Sequence, residues 1–498
     1  MEATNEKKKR PFGNRDKWLY ALGDFGCNMS FALKNYITIF YTMYIGLDFK
    51  LMAGIILALN IWDGINDPIV GALIDRIKPG KNGKFKPWIF WGAVALIVSG
   101  AMVFLPLGNL GEEYTWLKVI VCILGYLVWD MAYTVVNVPY GSMASVITID
   151  PSERASLSKF RTIGAMLAAL PVGIIVPMIM YNYIKDPATG EVLLDAAGNK
   201  MYTINGMGVF ILALILGVIG FIAFAVMCKF TIERVEPEVK EAAEKVSYLE
   251  VIKSFGKNRA AIGMTIASIF QLIMMQGLST ANSVLYTSYF TEVPDLAQNS
   301  GTISMISYIP ILGAIFLVNP LVEKFGKKKA SEVPLIGGIV AGFLMAIIPF
   351  GTGVGGLVLW LVLNTVVSCS VAVLSMVGWA MIADCIDYQE LQTGRREEGT
   401  VYAIYSLGRK FAQGIGASLV LLIMGWLGCQ STAGEMSIIQ EFPIANNVRV
   451  MVGLIYGICC LVQWVSIKYI YNLGKKEVEE MQIKLGRVND INAPHPED

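Results

Sequence analysis

The sequence predicts an all-α integral membrane protein of about twelve transmembrane helices, arranged as two six-helix halves. Three observations lead there. Of 498 residues, 55% are hydrophobic and only 16% charged, with a mean hydropathy of +0.56, whereas a soluble domain carries about a quarter charged residues. Apolar runs of about 20 residues, enough to cross roughly 30 Å of hydrocarbon, recur along the whole chain. The segments between them alternate between basic and base-poor, as the positive-inside rule requires of a multi-pass protein.

The runs lie near residues 18–46, 51–75, 87–107, 116–147, 160–183, 205–229, 260–290, 300–322, 332–351, 354–384, 399–427 and 448–472. One set of connections carries Lys7 to Arg10; Arg76, Lys78, Lys81, Lys84 and Lys86; Arg154 and Lys159; Lys324 and Lys327 to Lys329; Arg395 and Arg396; and Lys475 and Lys476. The other set, near Asp48, Glu112, Glu292, Gly353 and Glu435, has few basic residues. Both termini are therefore expected in the cytoplasm, with an even number of spans. Residues 1–229 are expected to form the N-terminal six-helix bundle, 230–259 a cytoplasmic linker, and 260–498 the C-terminal six-helix bundle and cytoplasmic tail. The linker, rich in Glu and Lys from Thr231 to Arg259, reads as a surface helix. The stretch Lys185 to Tyr202, rich in Gly, Asp and Asn, reads as an exposed hairpin or turn. The polar, basic start of the chain predicts no cleavable signal peptide.

The halves echo each other. Leu73-Ile74-Asp75-Arg76 followed by Gly80, Gly83 and Lys84 closes the second helix, and Leu321-Val322-Glu323-Lys324 followed by Gly326, Lys327 and Lys328 closes the eighth. Matching parallel halves are the mark of a carrier that rocks about a central site.

Composition also narrows function. A net charge of +1 argues against a nucleic-acid partner. The eight cysteines form no Cys-x-x-Cys and fall mostly in apolar runs, so they read as packing residues. One histidine, His495 in a polar tail, leaves nothing for histidine chemistry. No nucleophile stands beside a base, so no enzyme, no resident cofactor and a monomer in membrane lipid are expected.

The second run, Leu51 to Arg76, holds Asp63, Asn66 and Asp67 at i, i+3 and i+4, which puts all three on one helical face. Each carboxylate at bilayer depth costs about 2.5 to 3.5 kcal/mol, so such groups mark function by default. Two carboxylates and an amide oxygen suit a small cation or a shared proton. The plainer alternative is a proton-sharing pair that locks neighbouring helices. The first helix carries Asp24 and Asn28 at i, i+4 and then Asn35, a polar stripe suited to lining a cavity, while Lys34 has the reach to snorkel to an interface. The fourth carries Trp129, Asp130, Tyr133, Thr134 and Asn137 ahead of Pro139. In the eleventh, Arg409 and Lys410 need carboxylate partners, and Lys410 is the expected counter-charge to Asp63 and Asp67. Amides, carboxylates and aromatic faces together suit a neutral polyhydroxylated ligand, with Tyr133, Trp129, Trp379 and Tyr405 as candidate platforms.

These residues resemble a known family. Gly23-Asp24-Phe25-Gly26, Trp62-Asp63-Gly64-Ile65-Asn66-Asp67-Pro68 with Gly83-Lys84-Phe85-Lys86-Pro87-Trp88, Tyr133-Thr134 with Asn137-Val138-Pro139-Tyr140-Gly141-Ser142, and Ala383-Asp384-Cys385-Ile386-Asp387-Tyr388 are similar to motifs of the glycoside-pentoside-hexuronide:cation symporters. That family, which includes melibiose permease, belongs to the major facilitator superfamily. The resemblance implies the major facilitator fold and symport of a sugar or glycoside with Na⁺, Li⁺ or H⁺ across a cell membrane, in bacteria the inner one. It places the cation on Asp63, Asn66, Asp67 and Thr134, and the family's helix-11 lysine on Lys410. Arg161 matches the arginine that opens the family's fifth helix. The family's galactoside-recognising acids fall on Asn28 and Asn137, both amides here, which argues against an α-galactoside. Substrate contacts are expected from Asp24, Asn28, Tyr133, Asn137, Arg161, Trp379 and Lys410. A lysolipid or drug carrier of the same fold, which would need a wide lateral apolar cleft, is the alternative; a polytopic membrane enzyme or a scaffold is more remote.

Overall fold

A computed structural model describes residues 10–76, 80, 83–148, 150–195, 198–235, 255–306, 309–394, 398–434 and 436–486. Residues 236–254 of the expected linker, the loop residues Lys78, Lys81, Arg395 and Arg396 and the side chain of Asp75 lie outside the described residues. Among the described residues, ten helices are long and apolar enough to cross a membrane. They account for every predicted span except the first and the eighth. The first is broken into α1 (Asn14–Phe31) and α2 (Lys34–Met43). At the break, the Ala32 amide still reaches back four residues to Asn28 O, but the Leu33 amide turns to Ser30 O, tightening the helix by one residue. Its polar residues lower its hydropathy, which is also what makes it a candidate site. The predicted eighth span crosses 307–308, which are not described.

The chain divides into two compact units. The first comprises Met1–Ala243 with Asp295–Thr302 and Gly428–Gln440; the second comprises Glu244–Pro294, Ile303–Leu427 and Glu441–Asp498. In the first unit α1 packs on α6 (Pro151–Met180) and α7 (Gly206–Phe230). There α4 (Lys86–Val103) packs on α5 (Thr115–Ile147) and α7, and α3 (Phe49–Arg76) packs on α5. The expected hairpin is present, its strands β1 (Tyr181–Tyr183) and β2 (Tyr202–Ile204) pairing antiparallel at the borders of the predicted loop.

In the second unit α8 (Arg259–Gly277) packs on the later α13 (Glu398–Trp426) and α14 (Phe442–Val465). The short α9 (Ser279–Val284) follows α8, and α10 (Leu296–Ile306) begins among the residues 295–302 of the first unit and ends in the second. After them α11 (Ile309–Ile347) packs on α12 (Val354–Thr393) and α14, and α15 (Lys475–Lys484) closes the described chain. A buried cluster including Met264, Leu374, Met381, Cys385 and Tyr471 forms part of the core of this unit. Within α11 the chain turns at Gly326, φ 79°, and its counterpart Gly83 has φ 90°. Both halves thus place glycine where a side chain would be strained, which gives the sequence echo a conformational cause.

Two polar clusters anchor the first unit outside the apolar spans. At the start of α1 the Asp16 side chain is fully buried. It accepts from Arg10 Nη2 at 2.8 Å and from the Gly13 amide at 3.0 Å, and pairs with Arg234 Nη2 at 3.0 Å. Removing one partner of such a buried pair leaves uncompensated charge, so Asp16→Asn is expected to cost about 3–5 kcal/mol, read as a lower unfolding temperature in detergent.

Beside the hairpin, Asp295, in the left-handed region at φ 57°, accepts from the Tyr183 hydroxyl and lies 3.4 Å from Lys200 Nζ. The Tyr183 hydrogen bond, aided by Lys200 and opposed by desolvation, holds the Asp295 carboxyl below the ordinary aspartate range. A carboxyl lowered on folding contributes stability above its unfolded value of about 3.9, and that stability is lost as pH falls through the folded value. Because the Asp295 side chain is half exposed, the effect is modest. Hydrogen exchange across residues 181–204 is expected to quicken, beyond its intrinsic pH dependence, as pH is taken below about 4. Asp295→Asn is expected to remove that step.

Candidate functional site

The first unit gathers most of the predicted site residues, and the packing of α1 explains how. Gly23 has no side chain because the Tyr140 ring occupies the place a Cβ would take, with Tyr140 Cε2 only 2.1 Å from it. That approach lets Tyr140 stack on Tyr20, with centroids 4.8 Å apart, while each hydroxyl donates to the other residue's backbone carbonyl, at 2.9 and 3.4 Å. The Tyr140 ring in turn lies under the Arg161 guanidinium, 5.3 Å from Cζ to centroid. Arg161 Nε donates to Asp24 Oδ1 at 3.0 Å. Asn28, one turn further along α1, donates to the Asp24 backbone carbonyl at 2.9 Å and to Asp24 Oδ2 at 3.4 Å. An acid is thus present on the first helix one turn before the amide Asn28, held by the basic residue of α6.

The arginine side chain is 41% exposed, whereas the carboxylate is 11% exposed, so a solute reaching this pair meets guanidinium first. Asn137 on α5 joins the cluster through its Oδ1, 3.9 Å from Cys27 Sγ. Tyr133 packs between Phe31 and Trp129, with centroids 5.3 and 5.7 Å away, and remains partly exposed. Trp129 is buried, and its Nε1 donates to Ser30 Oγ at 2.7 Å. It packs the helices and does not present a ligand platform.

The proposed cation residues divide. Thr134 Oγ1 donates to Asp67 Oδ1 at 2.8 Å, so the fourth predicted helix meets the second at two of the residues the resemblance groups together. Asn66 is buried, and its Nδ2 has no hydrogen-bond partner among the described residues. The assignment of amide N and O is interchangeable in such a position, so this side chain can equally turn a carbonyl oxygen toward a cation. A pair of carboxylates, a hydroxyl and an amide suit a hard monovalent ion. Among the described residues no group of three or more His, Cys, Asp or Glu side chains is arranged to hold a metal. Asp63, one turn before Asp67, lies in the electrostatic surroundings of Lys34 and Tyr126. Lys34 is therefore no simple snorkelling residue. Its ammonium lies over the rings of Phe31 and Tyr126, 5.6 and 5.8 Å from their centroids. Asn35, beyond the helix break, is exposed and separate from the Asp24 stripe.

The electrostatic surroundings of Tyr133 include Cys27, Asp24, Arg161 and Asp67. Trp379 and Lys410 belong to the second unit. There Arg409, adjacent to the predicted Lys410, is the residue that organises aromatic rings. Its Cζ lies 5.6 Å from the Trp379 centroid and 5.5 Å from that of Tyr405, and its Nη1 donates to the Tyr405 hydroxyl at 3.3 Å. Trp379 is 51% exposed, whereas Tyr405 is buried and shares a 2.8 Å hydrogen bond with Ser268 Oγ. An apolar crevice of about 370 Å³ lined by Lys50, Leu51, Gly54, Ile55, Ala58, Leu59 and Ile123 includes none of the predicted site residues.

Comparison with known proteins agrees with this architecture. A glucuronide carrier protein homolog of Escherichia coli (strain K12) is 26% identical over 469 residues, covering 94% of each chain. A symporter of Bacillus subtilis (strain 168), YjmB, is 27% identical over 473 residues, covering 93% of each. The crystal structure of the nucleoside transporter NupG superposes with a TM-score of 0.58 at 13% identity, over 92% of this chain and all of that one; at that identity the likeness speaks to fold alone. The family described as MFS/sugar transport protein matches residues 19–463. With its long apolar helices, this makes the protein a secondary transporter of the major facilitator fold and not an enzyme. The chain belongs to the MFS/sugar transport protein family.

Proposed function

We propose that this transporter moves a sugar or glycoside together with a monovalent cation, Na⁺, Li⁺ or H⁺, by alternating access in a bacterial cell membrane with both termini cytoplasmic. The observation that carries the reading is the hydrogen bond of Thr134 to Asp67 at 2.8 Å, one residue after Tyr133 on α5, in the same unit as the Asp24–Arg161 pair. In this reading the solute's hydroxyls engage Arg161, Asp24, Asn28 and Asn137, whose amides and charged groups supply donors and acceptors together. The aromatic face of Tyr133 takes the apolar side of the sugar ring. Trp379 and Lys410 are the candidate contributions of the second unit.

Coupling follows from charge. A cation that neutralises Asp67 changes the field at Tyr133 and the Asp24–Arg161 pair, and so changes sugar affinity. By linkage the sugar changes cation affinity by the same factor, typically about 5- to 150-fold. Rocking of the matched halves then carries both across. The relative named a glucuronide carrier protein homolog supports the class of cargo, and the one named a symporter supports coupled transport.

The test is Asp67→Asn. Gradient-driven accumulation of a substrate glycoside is expected to vanish while sugar exchange across the membrane persists, because the variant keeps the sugar contacts and loses the cation's charge. Undiminished Na⁺- or H⁺-driven accumulation in Asp67→Asn would overturn the assignment.

A further inference from the structure

Two stretches of chain that interrupt the second unit belong to the first. Asp295–Thr302 and Gly428–Gln440 pack with the first unit, whereas Ile303–Leu427 and Glu441–Asp498 form the second with Glu244–Pro294. The hairpin of β1 and β2 holds both stretches. On one side Asp295 accepts from the Tyr183 hydroxyl and lies 3.4 Å from Lys200 Nζ, and Gln298 Nε2 donates to Tyr181 O at 2.9 Å. On the other, the Ile438 amide donates to Tyr202 O at 3.0 Å. Further along the first stretch, Gly301 lies so close to α6 that a Cβ would overlap the carbonyl oxygen of Gly173.

The two attachments are built differently. The hairpin ties of Asp295–Thr302 all run through side chains, those of Tyr183, Lys200, Asp295 and Gln298, and such bonds break and re-form by a change of rotamer. Gly428–Gln440 is held by its backbone: besides Ile438, the amides of Thr432 and Gly434 donate to Thr42 O and Tyr44 O at 3.1 and 2.8 Å. The joints differ as well. Helix α10 runs unbroken past residue 302, where the first unit ends and the second resumes. A continuous helix passes on a displacement that a loop absorbs. The other stretch has Gly428 and Gly434 at φ 87° and 64°, loop positions where backbone rotation is easy. When the halves rock, Gly428–Gln440 can stay on the hairpin, but the start of α10 has to leave it. We infer that the hairpin is a two-part clasp, a lasting anchor for Gly428–Gln440 and a releasable latch for the start of α10. Asp295 then parts from Tyr183 and Lys200 each time the carrier turns over. The inference rests on the alternating-access reading above and goes beyond it by naming a contact that has to break.

The test uses full-length protein in liposomes and a thiol-reactive maleimide, with labelled positions read by peptide mapping. Ser300 is buried in the latched start of α10, and Ser300→Cys puts a nearly isosteric reporter there; native Cys429, also buried, reports the anchored stretch. The thiol of Ser300→Cys is expected to label slowly while Cys429 stays protected. Adding Asp295→Asn and Gln298→Leu is expected to speed that labelling about tenfold, the scale of a few lost hydrogen bonds, and to leave Cys429 protected. Ala297→Cys, at a second buried position of the same helix, replaces Ser300→Cys as reporter if that variant folds poorly. A reporter thiol that stays unlabelled, that labels at a rate the added changes do not alter, or that labels together with Cys429 would overturn the clasp. The transport reading has its own readout: accumulation of methyl β-D-glucuronide, methyl β-D-xyloside or methyl β-D-glucoside by the wild type along a Na⁺, Li⁺ or H⁺ gradient. Accumulation with the reporter protected overturns the clasp alone. Labelling as expected, with none of the three accumulated, overturns coupled sugar transport and leaves the clasp to a carrier of other cargo.

Discussion

A charge enclosed by hydrocarbon has to be answered by an opposite charge or by a polar cavity, and the first unit is organised by that requirement. The Arg161–Asp24 pair, at 3.0 Å, is its centre. The pair needs Tyr140 beneath the guanidinium, and Tyr140 needs a glycine at position 23 in order to come close enough. A single motif of small and acidic residues therefore fixes a ring, an arginine on another helix and a carboxylate. Replacing one component shifts the others, because packed interiors leave little room for adjustment.

From this centre the polar residues extend in one direction through Tyr133 to Asp67 and Thr134, and separately through Asp63 to Lys34 and Asp130. The helical spacing that puts Asp63 and Asp67 on one face does not give them one environment. A turn of about 5.4 Å is comparable to the reach of a hydrogen bond plus a side chain, so adjacent turns of the same stripe can answer to different neighbours. Asp67 answers to a hydroxyl, that of Thr134.

Much of this was legible in the sequence because it depends on periodicity and cost. The i, i+3, i+4 spacing of Asp63, Asn66 and Asp67 requires a shared face, and the expense of burying acids marks that face as functional. The grouping of Thr134 with Asp67 came from family resemblance, and the two side chains share a hydrogen bond of 2.8 Å. The placing of the Lys34 ammonium over the rings of Phe31 and Tyr126 was not legible, since a long basic side chain on a helix can snorkel or turn inward, and spacing alone does not distinguish the two. The rings of Trp379 and Tyr405 beside Arg409 were likewise not legible, because which neighbours a cation on the eleventh helix meets depends on packing and not on spacing. The break at Ala32 and Leu33 carries no proline or glycine, so nothing in the local sequence announces it.

The outer edge of the first unit is finished by residues from far along the chain. The amide of Thr432 donates to Thr42 O at 3.1 Å, that of Gly434 to Tyr44 O at 2.8 Å and that of Ile438 to Tyr202 O at 3.0 Å. During synthesis those acceptors are made hundreds of residues before their donors. A ribosome paused near residue 427 has delivered every apolar helix of the first unit but not the segment that ties off its rim, so the nascent bundle must keep those carbonyls hydrated at the membrane surface until the last loop arrives.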